Sequence, residues 1–310
     1  MAFAQHDVEA AYRVIAPHLR RTPVVPVNGS EFGLAPFELF LKLESLQHGG
    51  SFKSRGAFAN LLLREVPAAG VVAASGGNHG AAVAFAAQRL GIRAHIFVPT
   101  ISSRAKTDRI RSYGAELRIE GALYDDALAL SRVWAQQHGA MQLHAFDQRE
   151  TLLGTATVGL ELARDVAGLD TVLAGVGGGG LIGGIAAWFD SKVRVIGVEP
   201  DASPTLTHAL RAGGPVEAPA GGLAADSLAP VRVGELTYPI ARDHVDRVLL
   251  VSDDEIRGAQ RALWNVCRVV AEPGGAAALA ALLSGKYLPA KDEKVAVVVS
   301  GGNTTAVDFG

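Results

Sequence analysis

The sequence predicts an α/β protein made of two doubly wound parallel-sheet domains. Three observations carry that prediction. From Val71 onward, short valine-rich apolar runs alternate with amphipathic stretches, the pattern of repeated βαβ units. Three of those runs pass directly into glycine, as strands that end in ligand-binding loops do. The 36 glycines, ~12% of 310 residues, follow no collagen-like period and so serve individual turns.

Taken in order, the first strands are expected at 71–75, 94–98, 116–119 and 141–144. Helices between them start near Asn78, Ser103 and Tyr124, and Gly91 and Gly139 act as stop signals. A second series follows at 171–176, 193–198, 245–251 and 295–300, with helices in most gaps. Ser252-Asp253-Asp254-Glu255 reads as a capping box, so this acidic cluster is assigned to a helix start and not to a metal. The stretch from Gly213 to Pro239 holds four prolines and reads as a long irregular loop of functional type. The expected division is 69–147 for a small domain, with 1–68 and 148–310 forming a large one.

Composition narrows the function classes. A chain 49% hydrophobic and 19% charged is not disordered, and at this length about three quarters of the unfolded surface is buried. Twenty-nine basic against 31 acidic residues leaves a charge of -2, so no electrostatic footprint for nucleic acid or anionic lipid is expected. The uncharged run from Thr171 to Phe189 imitates a membrane span, but Gly177 to Gly180 would break a spanning helix. The single cysteine, Cys267, fits a reducing compartment, and Met1 to Glu9 lack the pattern of a secretory signal. Cytoplasm is the expected location.

The chemistry lies in the glycine loops. They are Ser75-Gly76-Gly77-Asn78-His79-Gly80, Gly177-Gly178-Gly179-Gly180 and Ser300-Gly301-Gly302-Asn303. Beyond the carboxyl ends of parallel strands, such loops are expected to share one cleft. Four glycines before the helix Leu181 to Phe189 let amides converge on an anion unobstructed, and the helix pole adds about half a positive charge. The expectation is a phosphate cradle. Gly175-x-Gly177-x-x-Gly180 also matches a dinucleotide fingerprint, with Glu199 ending the next strand, which keeps an NAD-dependent dehydrogenase open. Against it stands Lys53, in Gly50-Ser51-Phe52-Lys53-Ser54-Arg55-Gly56. With Ser51 as cap, Lys53 falls in a first helical turn, where the positive pole and desolvation favour its neutral, nucleophilic amine. An ordinary surface lysine is the alternative, and the residues alone leave both open.

Leu41-Lys42-Leu43-Glu44 followed by Gly50 to Ala57 resembles the cofactor-lysine segment of the threonine dehydratase and serine racemase group, fold type II pyridoxal-phosphate enzymes with the tryptophan synthase β-like fold. Arg21-Thr22-Pro23, Ser75 to His79, His144-Ala145-Phe146-Asp147, the four glycines, Glu272-Pro273 and Ser300 to Asn303 follow in the group's order over nearly the whole chain. The resemblance implies a cofactor cleft between the two domains, with the larger binding pyridoxal 5'-phosphate. Lys53 would hold it as a Schiff base, Gly177 to Gly180 its phosphate, Asn78 its ring hydroxyl and Ser300 its pyridine nitrogen. Phe52 would pack on one ring face, and Glu272 would join the cofactor-binding set. Ser75, Gly76, Gly77, Asn78 and His79 would grip the substrate carboxylate, His79 being either a direct ligand or a satisfied structural histidine. The implied activity is elimination of water from L-threonine, L-serine or a related 3-hydroxy amino acid, giving a 2-oxo acid and ammonia. Relatives of this kind are commonly dimers, so a homodimer is expected.

The sequence also departs from the group. Racemases carry a serine where this chain has Gly76, so dehydration is favoured over racemisation. The positions of a divalent-metal site in relatives are Glu199, Ser203 and Thr205 here, one carboxylate short of a hard-cation site. No metal is expected. Ala225-Asp226-Ser227 and Gly154-Thr155-Ala156-Thr157 replace the usual Ala-Asp-Gly and Gly-Gln-Gly-Thr, which leaves the side chain of the substrate open between threonine, hydroxyaspartate and phenylserine. The chain ends ten residues after Ser300, so no appended regulatory domain is expected. The rival readings are a racemase of the same group, the NAD-dependent dehydrogenase, and a non-catalytic cofactor- or amino-acid-binding protein.

Overall fold

A computed structural model describes residues 3–100, 102, 104–122, 124–228 and 230–305, and in it the valine-rich runs form two separate sheets. The strands are β1 (Val24–Asn28), β2 (Glu38–Leu43), β3 (Val71–Ala74), β4 (Ala94–Val98), β5 (Glu116–Ile119), β6 (Met141–Gln142), β7 (Thr171–Gly175), β8 (Arg194–Pro200), β9 (Arg247–Val251) and β10 (Lys294–Val299). The larger sheet has the order β1-β2-β10-β7-β8-β9 and the smaller β5-β4-β3-β6. Every pairing is parallel except β1 with β2.

Both faces of the large sheet are covered, and its central strands alternate between two cores. Val295, Val297 and Val299 of β10 pack with Leu39, Leu41 and Leu43 of β2, while Ala296 and Val298 face the opposite core with Val172 and Ala174. That is why these strands read as continuous apolar runs. The small sheet does the same, with Val71 and Ala73 on one face and Val72 and Ala74 on the other.

All eight strands expected from Val71 onward are present, their ends shifted by a few residues. The sequence reading missed β1 and β2. Pro26 interrupts β1, and a proline is tolerated there because β1 is the edge strand. Helices Asn78–Leu90 and Tyr124–His138 begin as expected, and a third runs Arg104–Ser112, Ser103 lying outside the described residues. The loop expected over 213–239 contains a short helix, Ala225–Leu228, and the start of another, Thr237–His244. Ser252 and Glu255 form the capping box of the helix Asp253–Cys267. Among the described residues no helix is long and apolar enough to cross a membrane, and the run 171–189 divides into β7 and the helix Gly180–Phe189.

Candidate active site

Each sheet has one topological switch point, where consecutive crossovers leave in opposite directions and loops splay apart. In the small sheet it lies between β3 and β6, and in the large sheet between β7 and β10. The four loops leaving those strands begin at Ser75, Leu143, Val176 and Ser300, so all three glycine loops open at switch points.

The loop before Lys53 is bound to one of them. Ser51 forms an isolated antiparallel bridge with Gly301, Phe52 N donates to the Ser300 carbonyl at 3.1 Å, and Gly302 N donates to the Gly50 carbonyl at 2.9 Å. The helix Lys53–Leu63 therefore starts at Phe52, without a side-chain cap. This corrects the expectation that Ser51 caps it: Ser51 is extended, engaged with Gly301, and its buried hydroxyl has no partner among the described residues. Lys53 itself does lie in the first turn. Its Nζ donates to the Ala145 carbonyl at 2.7 Å and lies 5.0 Å from the centroid of the Phe52 ring. Burial pushes the Lys53 amine down to about 8, opposed by the charge of Glu272.

The residue after Ala145 reaches the second glycine loop. A Cβ on Gly178 would lie 2.5 Å from the Phe146 ring, and one on Gly180 2.7 Å from the Phe146 Cβ. A Cβ on Gly179 would lie 2.3 Å from Thr237 Cγ2, at a left-handed φ of 88°, and one on Gly177 3.1 Å from the Leu228 Cα. Close walls thus bar a side chain at 178, 179 and 180, and leave only a tight fit at 177. The amides of Gly177, Gly178, Gly179 and Gly180 have no hydrogen-bond partner among the described residues, and they open the helix Gly180–Phe189. Buried unpaired donors are costly, which marks the turn as a place for an acceptor.

The remaining expected residues gather nearby. Asn78 Nδ2 donates to Glu272 Oε1 at 2.5 Å, and Glu272 N donates to the Gly301 carbonyl at 3.1 Å. The buried Ser300 hydroxyl is only loosely held, 3.4 Å from the Gly274 carbonyl. Ser75, Gly76, Gly77 and Asn78 are half-buried at the start of the helix Asn78–Leu90. His79 is buried, with Nε2 3.3 Å from the Leu143 carbonyl, and burial together with the Lys53 charge pushes it down to about 3. That neutral, carbonyl-tied ring has the geometry of the structural alternative.

Two expected residues lie elsewhere. Both Glu199 oxygens cap the helix Thr205–Ala212, accepting from Leu206 N at 2.6 Å and Thr207 N at 3.0 Å, and burial raises this carboxyl to about 7. The Ser203 hydroxyl donates to the Leu228 carbonyl at 3.4 Å. Glu199, the carboxylate on which the dehydrogenase reading leaned, is thus engaged as a helix cap.

Sequence reasoning missed two supports. His144 Nδ1 accepts from Asp147 N at 3.0 Å and fixes the turn that aims the Ala145 carbonyl at Lys53; burial keeps this imidazole neutral, as an accepting nitrogen requires. Asp147 then binds Glu235 N and Leu236 N at 3.0 and 2.8 Å, bringing the 234–237 segment over the glycine turn. The second support is a buried ionic cluster. Arg55, on the Lys53 helix, binds Glu44 at 2.8 and 2.7 Å and Glu161 at 2.9 and 2.8 Å, and Lys42 Nζ binds Glu161 Oε2 at 2.6 Å. Lys42-x-Glu44 and Arg55 stood within the recognised segment, but Glu161 is over a hundred residues away and no spacing points to it.

Comparison with known proteins places this geometry. The family described as "Pyridoxal-phosphate dependent enzyme" matches residues 15–301. The chain belongs to that family. L-threonine ammonia-lyase of Thermotoga maritima is 38% identical over 302 residues, covering 96% of this chain and 75% of the relative. Threonine deaminase of T.th. superposes with a TM-score of 0.91 at 37% identity, covering 99% of this chain and 100% of that one. Serine racemase of Dictyostelium discoideum gives a TM-score of 0.91 at 31% identity, covering 98% and 99%.

The residues present suit the family's cofactor. Its phosphate needs several converging donors, and the 177–180 turn offers four unpaired amides at a helix start. Its aldehyde needs an amine with a depressed pKa, and Lys53 is one, held by the segment 145–146 that also walls the glycine turn. The unpaired Ser51 hydroxyl and the loosely bound Ser300 hydroxyl add polar groups without strong competing partners.

Proposed function

We propose that this chain is an ammonia-lyase that eliminates water from L-threonine, L-serine or a related 3-hydroxy amino acid, releasing a 2-oxo acid and ammonia. One observation supports it most: the Lys53 amine, poised near neutrality, and the anion cradle at Gly177 to Gly180 are held by the adjacent residues Ala145 and Phe146. Bound pyridoxal phosphate supplies an electron sink for charge developing at the substrate Cα. The chain's residues do the rest. Amides at the start of the helix Asn78–Leu90 bind the substrate carboxylate, with the helix pole adding to the attraction. Lys53 Nζ takes the Cα proton, and its lowered pKa makes the neutral base available close to physiological pH. The Cβ hydroxyl leaves as water, and hydrolysis of the released unsaturated amine consumes one water and yields the 2-oxo acid and ammonia. Phe52 flanks the amine, Glu272 holds Asn78, whose side chain would meet the cofactor's ring hydroxyl, and the neutral Ser300 hydroxyl would serve its ring nitrogen, limiting the sink and so favouring elimination over a long-lived carbanion.

The two separate sheets support the division into a small domain, 69–147, and a large cofactor-binding domain, 1–68 and 148–310. Free Cys267 supports a reducing, cytoplasmic setting, and a homodimer belongs to the same reading.

The racemase reading has one observation in its favour. Gly76 lacks a side chain, but the Ser102 hydroxyl lies 2.4 Å from where its Cβ would stand, so a hydroxyl is near that position. An assay of L-serine, L-threonine, 3-hydroxyaspartate and phenylserine separates the readings. The lyase reading expects 2-oxo acid and ammonia in equal amounts, and faster appearance of the D-enantiomer from L-serine would overturn it.

A further inference from the structure

The third glycine loop ends in Asn303, to which the reaction above gives no task. Its side chain is tightly built in. Gly50 has a left-handed φ of 74°, and a Cβ there would stand 2.1 Å from Asn303 Oδ1, so Gly50 leaves the room that Asn303 fills. Asn303 Nδ2 donates to the Gly49 carbonyl at 2.8 Å and to Asn78 Oδ1 at 2.6 Å. Its Oδ1 accepts from the guanidinium of Arg109, on the helix Arg104–Ser112 that follows β4.

Each amide has a donor end and an acceptor end, and its partners dictate which way it points. Arg109 can only donate, and the Gly49 carbonyl can only accept. Asn303 must therefore turn its oxygen to Arg109 and its NH2 to Gly49 and Asn78. Asn78 must in turn show its oxygen to Asn303, leaving its own NH2 for Glu272, 2.5 Å away. A donor-only cation stands at one end and a carboxylate at the other, and the two amides between them have one consistent direction.

We propose that Asn303 is a positioning residue, anchored by Arg109: it fixes the direction of the chain Arg109→Asn303→Asn78→Glu272, so that the Asn78 NH2 and the Glu272 carboxylate are presented to the Lys53 cleft. Arg109 belongs to the part of the chain that forms the small sheet, and Asn303 and Glu272 to the part that forms the large one. The chain of hydrogen bonds thus sets cofactor-site polarity only when the two parts are docked. The inference rests on the Lys53 reading given above.

Asn303→Asp tests it. The variant is isosteric and keeps, even strengthens, the bond to Arg109, but has no NH2 for Gly49 or Asn78. If the contact merely ties the two parts together, Asn303→Asp leaves cofactor affinity untouched. If it sets direction, Asn78 swings its NH2 toward the new carboxylate and away from Glu272. Titration with pyridoxal phosphate, followed by its visible absorption on binding, is expected to show about tenfold weaker affinity, the factor for one buried partner lost. Arg109→Leu should weaken it about threefold, less than Asn303→Asp because Gly49 still orients Asn303, and Arg109→Lys should restore it. Thermal midpoints of the same proteins without cofactor serve as control. Wild-type affinity in Asn303→Asp overturns the inference, as does a loss that merely follows the fall in thermal midpoint. Should Asn303→Asp fail to fold, unchanged affinity in Arg109→Leu overturns it as well. Absence of any visible band in the wild-type protein would instead overturn the Lys53 reading, and this inference with it.

Discussion

Replacing Glu161 by glutamine tests how the Lys53 helix is held. Lys42, Arg55, Glu44 and Glu161 are at most 1% exposed, and their two positive and two negative charges cancel. Glutamine keeps the shape but leaves a net buried charge of one. Removing one partner from a buried pair costs about 3–5 kcal/mol. Asp165, 3.8 Å from Lys42 and 19% exposed, offsets part of that. The lower end, about 3 kcal/mol, corresponds to a fall in Tm of roughly 5 °C for a chain of 310 residues.

Urea and thermal unfolding of the cofactor-free protein would measure it. A loss under about 1 kcal/mol would refute the reasoning, because an uncompensated charge in that site cannot be so cheap. The companion variant is sharper: adding Lys42→Met to Glu161→Gln restores neutrality and should recover most of the loss. A double variant no better than the single would mean that charge balance is not what Glu161 supplies. Acid unfolding gives the sign. Burial pushes the Glu161 carboxyl up, but Arg55 and then Lys42 outweigh it and hold it below the usual range. Its stabilising contribution is therefore present at neutral pH and lost as pH falls through that lowered value, so Glu161→Gln should flatten the acid limb.

Three further outcomes are expected. Borohydride should fix pyridoxal phosphate irreversibly to wild-type protein and not to Lys53→Ala, and in the cofactor-free protein Lys53 should react with amine reagents with a midpoint near 8; a midpoint above 10 would contradict its desolvation. Gly178→Ala drives a methyl to 2.5 Å from the Phe146 ring, an overpacking cost of about 1–3 kcal/mol, and calorimetric titration should show weakened cofactor binding with the fold retained. Gly76→Ser puts its Cβ 2.4 Å from the Ser102 hydroxyl, so chiral chromatography should detect increased racemisation in Gly76→Ser with Ser102→Gly, and much less in the single variant; equal rates in the two would show that Ser102 does not obstruct that position.

The parts of the fold legible in the sequence were those whose signals are local. Strands buried on both faces give unbroken uncharged, mainly apolar runs, and β7 and β10 were plain for that reason. β1 was not, because a proline-bearing edge strand with no buried position has no such signature, and β2, though an inner strand, has its apolar run broken by Lys42, which is buried there only through its pairing with the distant Glu161. The glycine turn was readable as an anion site from composition, but the reason for each glycine lies in Phe146, Leu228 and Thr237, which only folding brings close. Ser51 shows the opposite failure: a serine two residues before a helix is a good local cap, and a long-range bridge to Gly301 overrode it.

Two departures from the family pattern can now be separated by position. In the first, the Thr155 hydroxyl donates to the Gly180 carbonyl at 2.7 Å, Thr157 accepts from Arg55 at 3.0 Å, and a Cβ on Gly154 would strike the Arg55 carbonyl at 2.4 Å. These residues brace the glycine turn and the Lys53 helix from behind. In the second, the Asp226 carbonyl lies 3.3 Å from where a Gly77 Cβ would be, and the Ser227 hydroxyl 2.2 Å from that of Gly274, beside the loops proposed above to receive substrate and ring nitrogen. On that proposal, choice among 3-hydroxy amino acids is expected to depend on 226–227. Ser227→Gly should change the ratio of kcat/KM between threonine and bulkier substrates at least several-fold while lowering Tm little, since it removes a half-buried CH2OH group whose hydrogen bond, to the Ala224 carbonyl, is long at 3.4 Å. Thr157→Ala should do the reverse, lowering Tm by leaving an Arg55 N–H unpaired and keeping the substrate ratio. If the ratio moves with Thr157 and not with Ser227, the wall of the substrate pocket has been placed on the wrong side of the Lys53 helix.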